Sequence, residues 1–123
     1  MIGYVTLGTN DLERAKGFYG DLLSLLDANV LMSSDRMVMW GAEGGSGMLG
    51  VCTPFDGEAA TVGNGGMVAL SLPSKDVVDQ MHARALELGA ANEGDPGPRG
   101  DGALYAGYFR DLDGNKLVGF CFG

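Results

Sequence analysis

Imidazoles and thiols are nearly absent from this sequence: His82, Cys52 and Cys121 are its whole supply. Neither cysteine has a histidine nearby in sequence, so no nucleophile with a partnered base is visible. Each stands in an apolar, strand-like run, where a buried free thiol is commoner than a disulfide in a reducing compartment. Basic residues are scarce as well. Eight Lys plus Arg against sixteen Asp plus Glu leave a net charge of −8, and no basic stripe gathers them. Such a surface repels a phosphate backbone, which argues against nucleic acid as a partner. Long hydrophobic runs are missing too, because glycine or a charge breaks every apolar stretch within a few positions, and this argues against a membrane span. Asn10, Asp11 and Glu13 interrupt the first apolar stretch where a secretory signal would have to continue. The expected setting is the cytoplasm.

What is present suits one domain: 123 residues with 46% apolar content can fill a single core, and 22 glycines predict many tight turns. An internal repeat organises the chain. Gly3-Tyr4-Val5-Thr6-Leu7 is echoed by Gly66-Met67-Val68-Ala69-Leu70, and Gly47-Met48-Leu49-Gly50-Val51-Cys52 aligns with Lys116-Leu117-Val118-Gly119-Phe120-Cys121. A capped helix follows each opening strand. In the first copy Asn10 is the expected cap with Glu13 as its capping-box partner, ahead of an apolar stripe at Leu12, Ala15, Phe18, Tyr19, Leu22 and Leu23. In the second, Ser74 caps a stripe of Val77, Val78, Met81, Ala85 and Leu88 that Gly89 stops. Two further strands fit in each half, at about residues 28–32 and 36–41, then 90–93 and 104–110. The order is strand, helix, strand, strand, strand, twice: a first module over 1–54, a linker over 55–65 and a second module over 66–123. The segment from Asn92 to Gly102 reads as a long loop, either a binding loop or disordered.

Three features together resemble the vicinal oxygen chelate superfamily, that of glyoxalase, bleomycin resistance protein and dioxygenase. These are the doubled module order, the opening segment from Val5 to Tyr19, and the Arg110-Asp111-Leu112-Asp113-Gly114-Asn115-Lys116 turn, in which Leu112 replaces the family's usual proline. Gly97-Pro98-Arg99 with the later Tyr105 also looks like a subset of the family with a Pro-Gly-x-Arg loop. The resemblance implies an α+β fold of two βαβββ modules, each curling into half of an open cup with its helix outside. It also implies a metal site, and the positions carried over for it are Tyr4, Leu49, Met67 and Val118, none of them an ordinary ligand for a hard divalent cation. His82 falls mid-helix, away from the cup, as a packing residue, and Met67 reads more readily as core filler than as a ligand. No metal or other cofactor is expected.

Strand alternation puts Tyr4 and Thr6 on one face of the first strand, and the repeat extends that parity to Met67, Ala69, Leu49, Val51, Val118 and Phe120. The expected ligand-binding set is Tyr4, Trp40, Met67, Arg99, Tyr105, Tyr108 and Phe120. Arg99, with Asp101 near it, is the polar anchor for an anionic group. A closed core built from the same apolar residues is the competing reading. The function expected is binding of a small apolar or aromatic molecule without catalysis. The alternatives are a divergent metal-dependent lyase, isomerase or dioxygenase, a metal-free catalyst using Tyr4 or Tyr105 as an acid, and a partner-binding protein with a degenerate cup. A homodimer is expected, both from the resemblance and because exposed strand edges need covering.

Overall fold

A computed structural model describes all residues, 1–123. The chain divides into two compact units, 1–62 and 63–123, and the division falls within the glycine-rich stretch between the two repeats. No helix is long and apolar enough to cross a membrane.

The first unit runs β1 (Tyr4–Gly8), α1 (Leu12–Leu23), a single 3-10 turn, β2 (Asn29–Ser33), β3 (Met37–Gly41) and β4 (Met48–Cys52). The strands form one sheet in the order β1-β4-β3-β2, with β1 parallel to β4 and the remaining pairs antiparallel. The cap of α1 is Asp11, not Asn10: the Asp11 carboxylate accepts from Arg14 N at 3.0 Å. Asn10 is engaged elsewhere, its amide donating to Ala60 O at 3.2 Å and accepting from Ala60 N at 2.7 Å. That pair satisfies backbone groups of the 55–65 segment, which is why the expected capping box does not form. Ala15, Phe18, Tyr19, Leu22 and Leu23 are the buried stripe of α1.

The second unit repeats the plan: β5 (Val68–Ser71), α2 (Lys75–Glu87), β6 (Ala91–Arg99), β7 (Leu104–Arg110) and β8 (Lys116–Phe122), in the order β5-β8-β7-β6. Ser74 caps α2 by accepting from Val77 N at 3.3 Å. Just past the helix, Gly89 takes φ +105°, a conformation that only glycine adopts without strain. The Asp111–Asn115 turn before β8 is self-bonded. Asp111 Oδ1 accepts from the backbone N–H of Asp113 and of Asn115, each at 2.9 Å, and Asn115 Nδ2 donates to Asp111 Oδ2 at 2.9 Å. The most family-like turn of the sequence is therefore scaffold that starts β8 in register.

The largest departure from the sequence reading is β6. The segment expected as a loop from Asn92 to Gly102 is strand as far as Arg99, interrupted by register shifts between Asn92 and Gly94 and between Gly94 and Gly97. As an edge strand β6 pairs only with β7, so Pro96 and Pro98 can lack an N–H without unpairing a second neighbour, and bulges absorb the mismatch. Only the short connection to β7 is a tight turn, with Gly100, Asp101 and Gly102 all at positive φ.

Candidate functional site

Ladder register fixes which residues share a face, because directly paired residues point to the same side. In the first sheet Tyr4 pairs with Met48, Thr6 with Gly50 and Gly8 with Cys52, while β3 sets Met39 against Gly50 and Met37 against Cys52. This is the open face. The alternate residues, Val5, Leu49 and Trp40 with Leu7, Val51 and Val38, form the face toward α1, where the Trp40 and Tyr19 rings lie 6.0 Å apart.

Two site expectations change accordingly. Leu49 and Val51 do not share a face with Tyr4, because the sequence alignment of the two repeats is displaced by one residue in the last strand. The registers equate Leu49 with Leu117 and Gly50 with Val118, since Val5 pairs with Leu49 as Val68 pairs with Leu117. A one-residue slip turns every side chain over. Trp40 is a core residue, 4% exposed, and belongs to the helix side. Cys52, by the same register, lies on the open face.

In the second sheet Ala69 pairs with Val118 and Ser71 with Phe120, while Ala106 faces Phe120 and Tyr108 faces Val118. These residues form the open face, on which Tyr108 and Phe120 are part-exposed while Ala106 and Val118 are buried; Met67, just ahead of β5, is exposed and not buried as core filler. The helix side carries Phe109, Gly107, Gly119 and Tyr105. Tyr105 is thereby removed from the expected ligand set. Its hydroxyl donates to Asp79 Oδ1 of α2 at 2.7 Å and its ring lies under Lys75 Nζ at 5.6 Å. The hydrogen bond to Asp79 holds the phenol protonated above its ordinary range, assisted by desolvation and by the Asp79 charge.

Tyr108 is the centre of the open face of this unit. The Arg99 guanidinium carbon lies 5.6 Å from its ring centroid and Lys116 Nζ lies 5.5 Å from it. Arg99 lies against Gly97, where a Cβ would crowd Nη1 at 3.2 Å; a Cβ on Gly94 would crowd Tyr108 Cδ1 at 3.3 Å and only touch Nη2, at 3.5 Å. Backbone carbonyls then fix the fork, Nη1 donating to Pro98 O at 3.1 Å and Nη2 to Asp95 O at 2.8 Å. Of the five guanidinium N–H groups, Nε–H and one on each Nη have no partner within the chain. Arg110, by contrast, is committed: Nε donates to Glu93 Oε1 at 2.6 Å and Nη1 to Gly114 O at 3.0 Å. That hydrogen bond, with the charges of Arg110 and Lys116, holds the Glu93 carboxyl below the usual carboxylate range. Neither Arg99 nor Lys116 has a carboxylate within ion-pair distance. Lys116 was missed by the sequence reading, although its alternation with Val118 and Phe120 was the signal that could have found it.

The donor chemistry does not suit a hard cation. No three His, Cys, Asp or Glu side chains come together in a group that could hold a metal ion. The register-corrected positions beside Tyr4 and Thr6 are Met48 and Gly50, and beside Ala69 stands Val118. None offers the oxygen or imidazole donors that such a cation takes.

A doubled β-α-β-β-β unit with an open sheet face in each half defines a known class of protein. The family model described as Glyoxalase/Bleomycin resistance protein/Dioxygenase superfamily matches residues 1–118, and the chain belongs to that superfamily. A crystal structure of a glyoxalase/bleomycin resistance protein from Albidiferax ferrireducens T118 is similar over 98% of both chains, with 33% identity and a TM-score of 0.90. A putative glyoxalase from Bacillus halodurans, at 21% identity and TM-score 0.79, covers 98% of this chain and 95% of its own. Lactoylglutathione lyase from Agrobacterium tumefaciens, also at 21% identity, has a TM-score of 0.72 with 98% and 92% covered. These last two likenesses bear on the fold alone. A comparison with proteins of curated function finds no match.

Proposed function

We propose that this protein is a metal-independent binding module, and that the open face of its second unit takes a small planar aromatic or apolar molecule bearing a carboxylate. The observation that carries this reading is the Tyr108 ring with two cations near it, Arg99 at 5.6 Å and Lys116 at 5.5 Å from its centroid, neither in an ion pair, on a face that continues into the part-exposed Phe120. A planar ligand laid along these residues buries apolar area at roughly 25 cal/mol per Å², before the costs of association. The free N–H groups of Arg99 offer a fork for its carboxylate. Met67 is the exposed apolar residue that extends the wall. Tyr4 is the aromatic residue on the open face of the first unit and is a candidate contact there in its own right. The donor sets described above support a reading without a catalytic metal, and hence without the chemistry of a metal-dependent lyase, isomerase or dioxygenase.

Isothermal titration of the purified protein with benzoate and 2-naphthoate, against benzamide and 2-naphthamide, tests the reading. Saturable binding of the carboxylates with weaker binding of the amides is the expected result. Near-stoichiometric metal in protein purified without chelator, together with carboxylate binding that requires it, would overturn the metal-independent part.

Two further properties belong to the proposal. The free state of Cys52 and Cys121 suits a cytoplasmic setting. A homodimer is supported by β2, an edge strand exposed throughout with Val30, Leu31 and Met32 in succession, since such an edge is stabilised when covered.

A further inference from the structure

We infer that His82 is a positioning residue for the ligand face, acting through the sheet from the helix side to hold Arg99 over Tyr108; the inference rests on the binding reading given above. His82 is 4% exposed on α2, and its ring is seated against a glycine of β7: a Cβ on Gly107 would crowd His82 Cδ2 at 3.0 Å. From that seat Nε2 lies 3.1 Å from Asn92 Oδ1 and 3.2 Å from Tyr108 O. Both partners are acceptors, since the Asn92 amide is oriented by two other bonds: its oxygen accepts from Gly94 N at 3.0 Å and its nitrogen donates to Asp95 Oδ1 at 2.7 Å. His82 Nε2 therefore carries a proton and donates.

The consequences run through the bulged stretch of β6. Asn92, fixed by His82, ties down Gly94 and Asp95, the first packed on the Tyr108 ring and the second bonded to Arg99. Gly94 leaves room for the Tyr108 ring, whose Cδ1 a Cβ there would crowd at 3.3 Å, and Asp95 provides the carbonyl that Nη2 donates to at 2.8 Å. The same imidazole holds the carbonyl of Tyr108, the residue whose ring Arg99 covers. A packing histidine would need none of these bonds. One donor group thus fixes both partners of the open-face pair, and it does so from a buried position that no ligand touches.

The test reads Arg99 directly, without ligand. In the wild-type protein the Arg99 side-chain NMR resonances, assigned by their loss in Arg99→Lys, should be displaced by the Tyr108 ring current. His82→Leu removes the donor and is expected to return them to ordinary arginine positions, whereas His82→Gln, which keeps an N–H donor, should retain the displacement. Asn92→Ala cuts the same relay at an exposed residue and guards against a folding defect in the core variant; it should behave as His82→Leu does. With benzoate as probe, His82→Leu and Asn92→Ala should each weaken binding about tenfold, and neither should weaken it further when Arg99 is already alanine. Unchanged Arg99 resonances in folded Asn92→Ala would overturn the inference, as would an undiminished effect of Asn92→Ala in the Arg99→Ala background. If wild-type protein does not bind benzoate but the resonances respond as described, the ligand reading fails and the positioning role stands.

Discussion

The Arg99 guanidinium lies 5.6 Å from the centroid of the Tyr108 ring, and its two Nη groups are tied to the carbonyls of Pro98 and Asp95. An arginine held in this way has already lost much of the rotamer freedom that a ligand would otherwise have to remove, which costs roughly 0.5–1.5 kcal/mol per rotamer-rich side chain. Arg99→Ala should therefore weaken carboxylate ligands by tens-fold and leave their amides nearly unchanged. Lys116→Ala, a point charge without the planar fork, should have the smaller effect. Titration calorimetry with benzoate and benzamide measures both, and equal losses for the two ligands would make Arg99 a scaffold residue.

Gly107 gives a prediction about stability. An added Cβ would stand 3.0 Å from His82 Cδ2 and 3.1 Å from Pro96 Cγ, tighter than most side chains pack, and two ring side chains would have to shift, so Gly107→Ala should destabilise by about 1–3 kcal/mol. Denaturant unfolding measures this, and the variant should also lose carboxylate affinity because His82 is displaced. Leu22→Ala, in the fully buried stripe of α1, is expected to cost about 2–5 kcal/mol with ligand affinity in the second unit retained.

Tyr105 should titrate late. Its hydroxyl donates to Asp79, and the phenol is held protonated above the usual range. For a group whose folded pKa lies above its unfolded value, the stabilisation is complete below the unfolded value and is lost as pH rises through the folded one. Ultraviolet detection of tyrosinate should show one late-ionising phenol in the wild type that disappears in Tyr105→Phe, and the alkaline loss of stability should be shallower in that variant. A Tyr105→Phe titration identical to that of the wild type, less one ordinary phenol, would contradict the assignment.

The doubled module order was legible because it rests on signals that survive tertiary context: capped helices with a strong apolar stripe and a turn that bonds to itself. Parity was legible only where the alternating stretch was anchored. Val118 and Phe120 fell on the face of Ala69 as expected, whereas the alignment of Gly47–Cys52 with Lys116–Cys121 placed shared glycines together and turned Leu49 to the wrong side. Trp40 carried no parity of its own in the sequence. Its aromatic bulk suits a cup wall as well as a core, and only its pairing with Leu49 decides for the core. The β6 strand was hidden by Pro96, Pro98, Gly94 and Gly97, residues that mark a loop in isolation but fit a bulged edge strand. The role of His82 was hidden for a different reason: helical position says nothing about a partner reached across a sheet.

The account turns on where an aromatic carboxylate binds, and the most direct measurement is NMR mapping of a benzoate titration on uniformly labelled wild-type protein. The account predicts saturable shifts centred on the side chains of Tyr108, Phe120, Arg99 and Lys116, with Tyr105 and the Trp40 indole unmoved. Shifts confined to Trp40 or Tyr105, or no saturable shift at Tyr108 at millimolar benzoate, would contradict it.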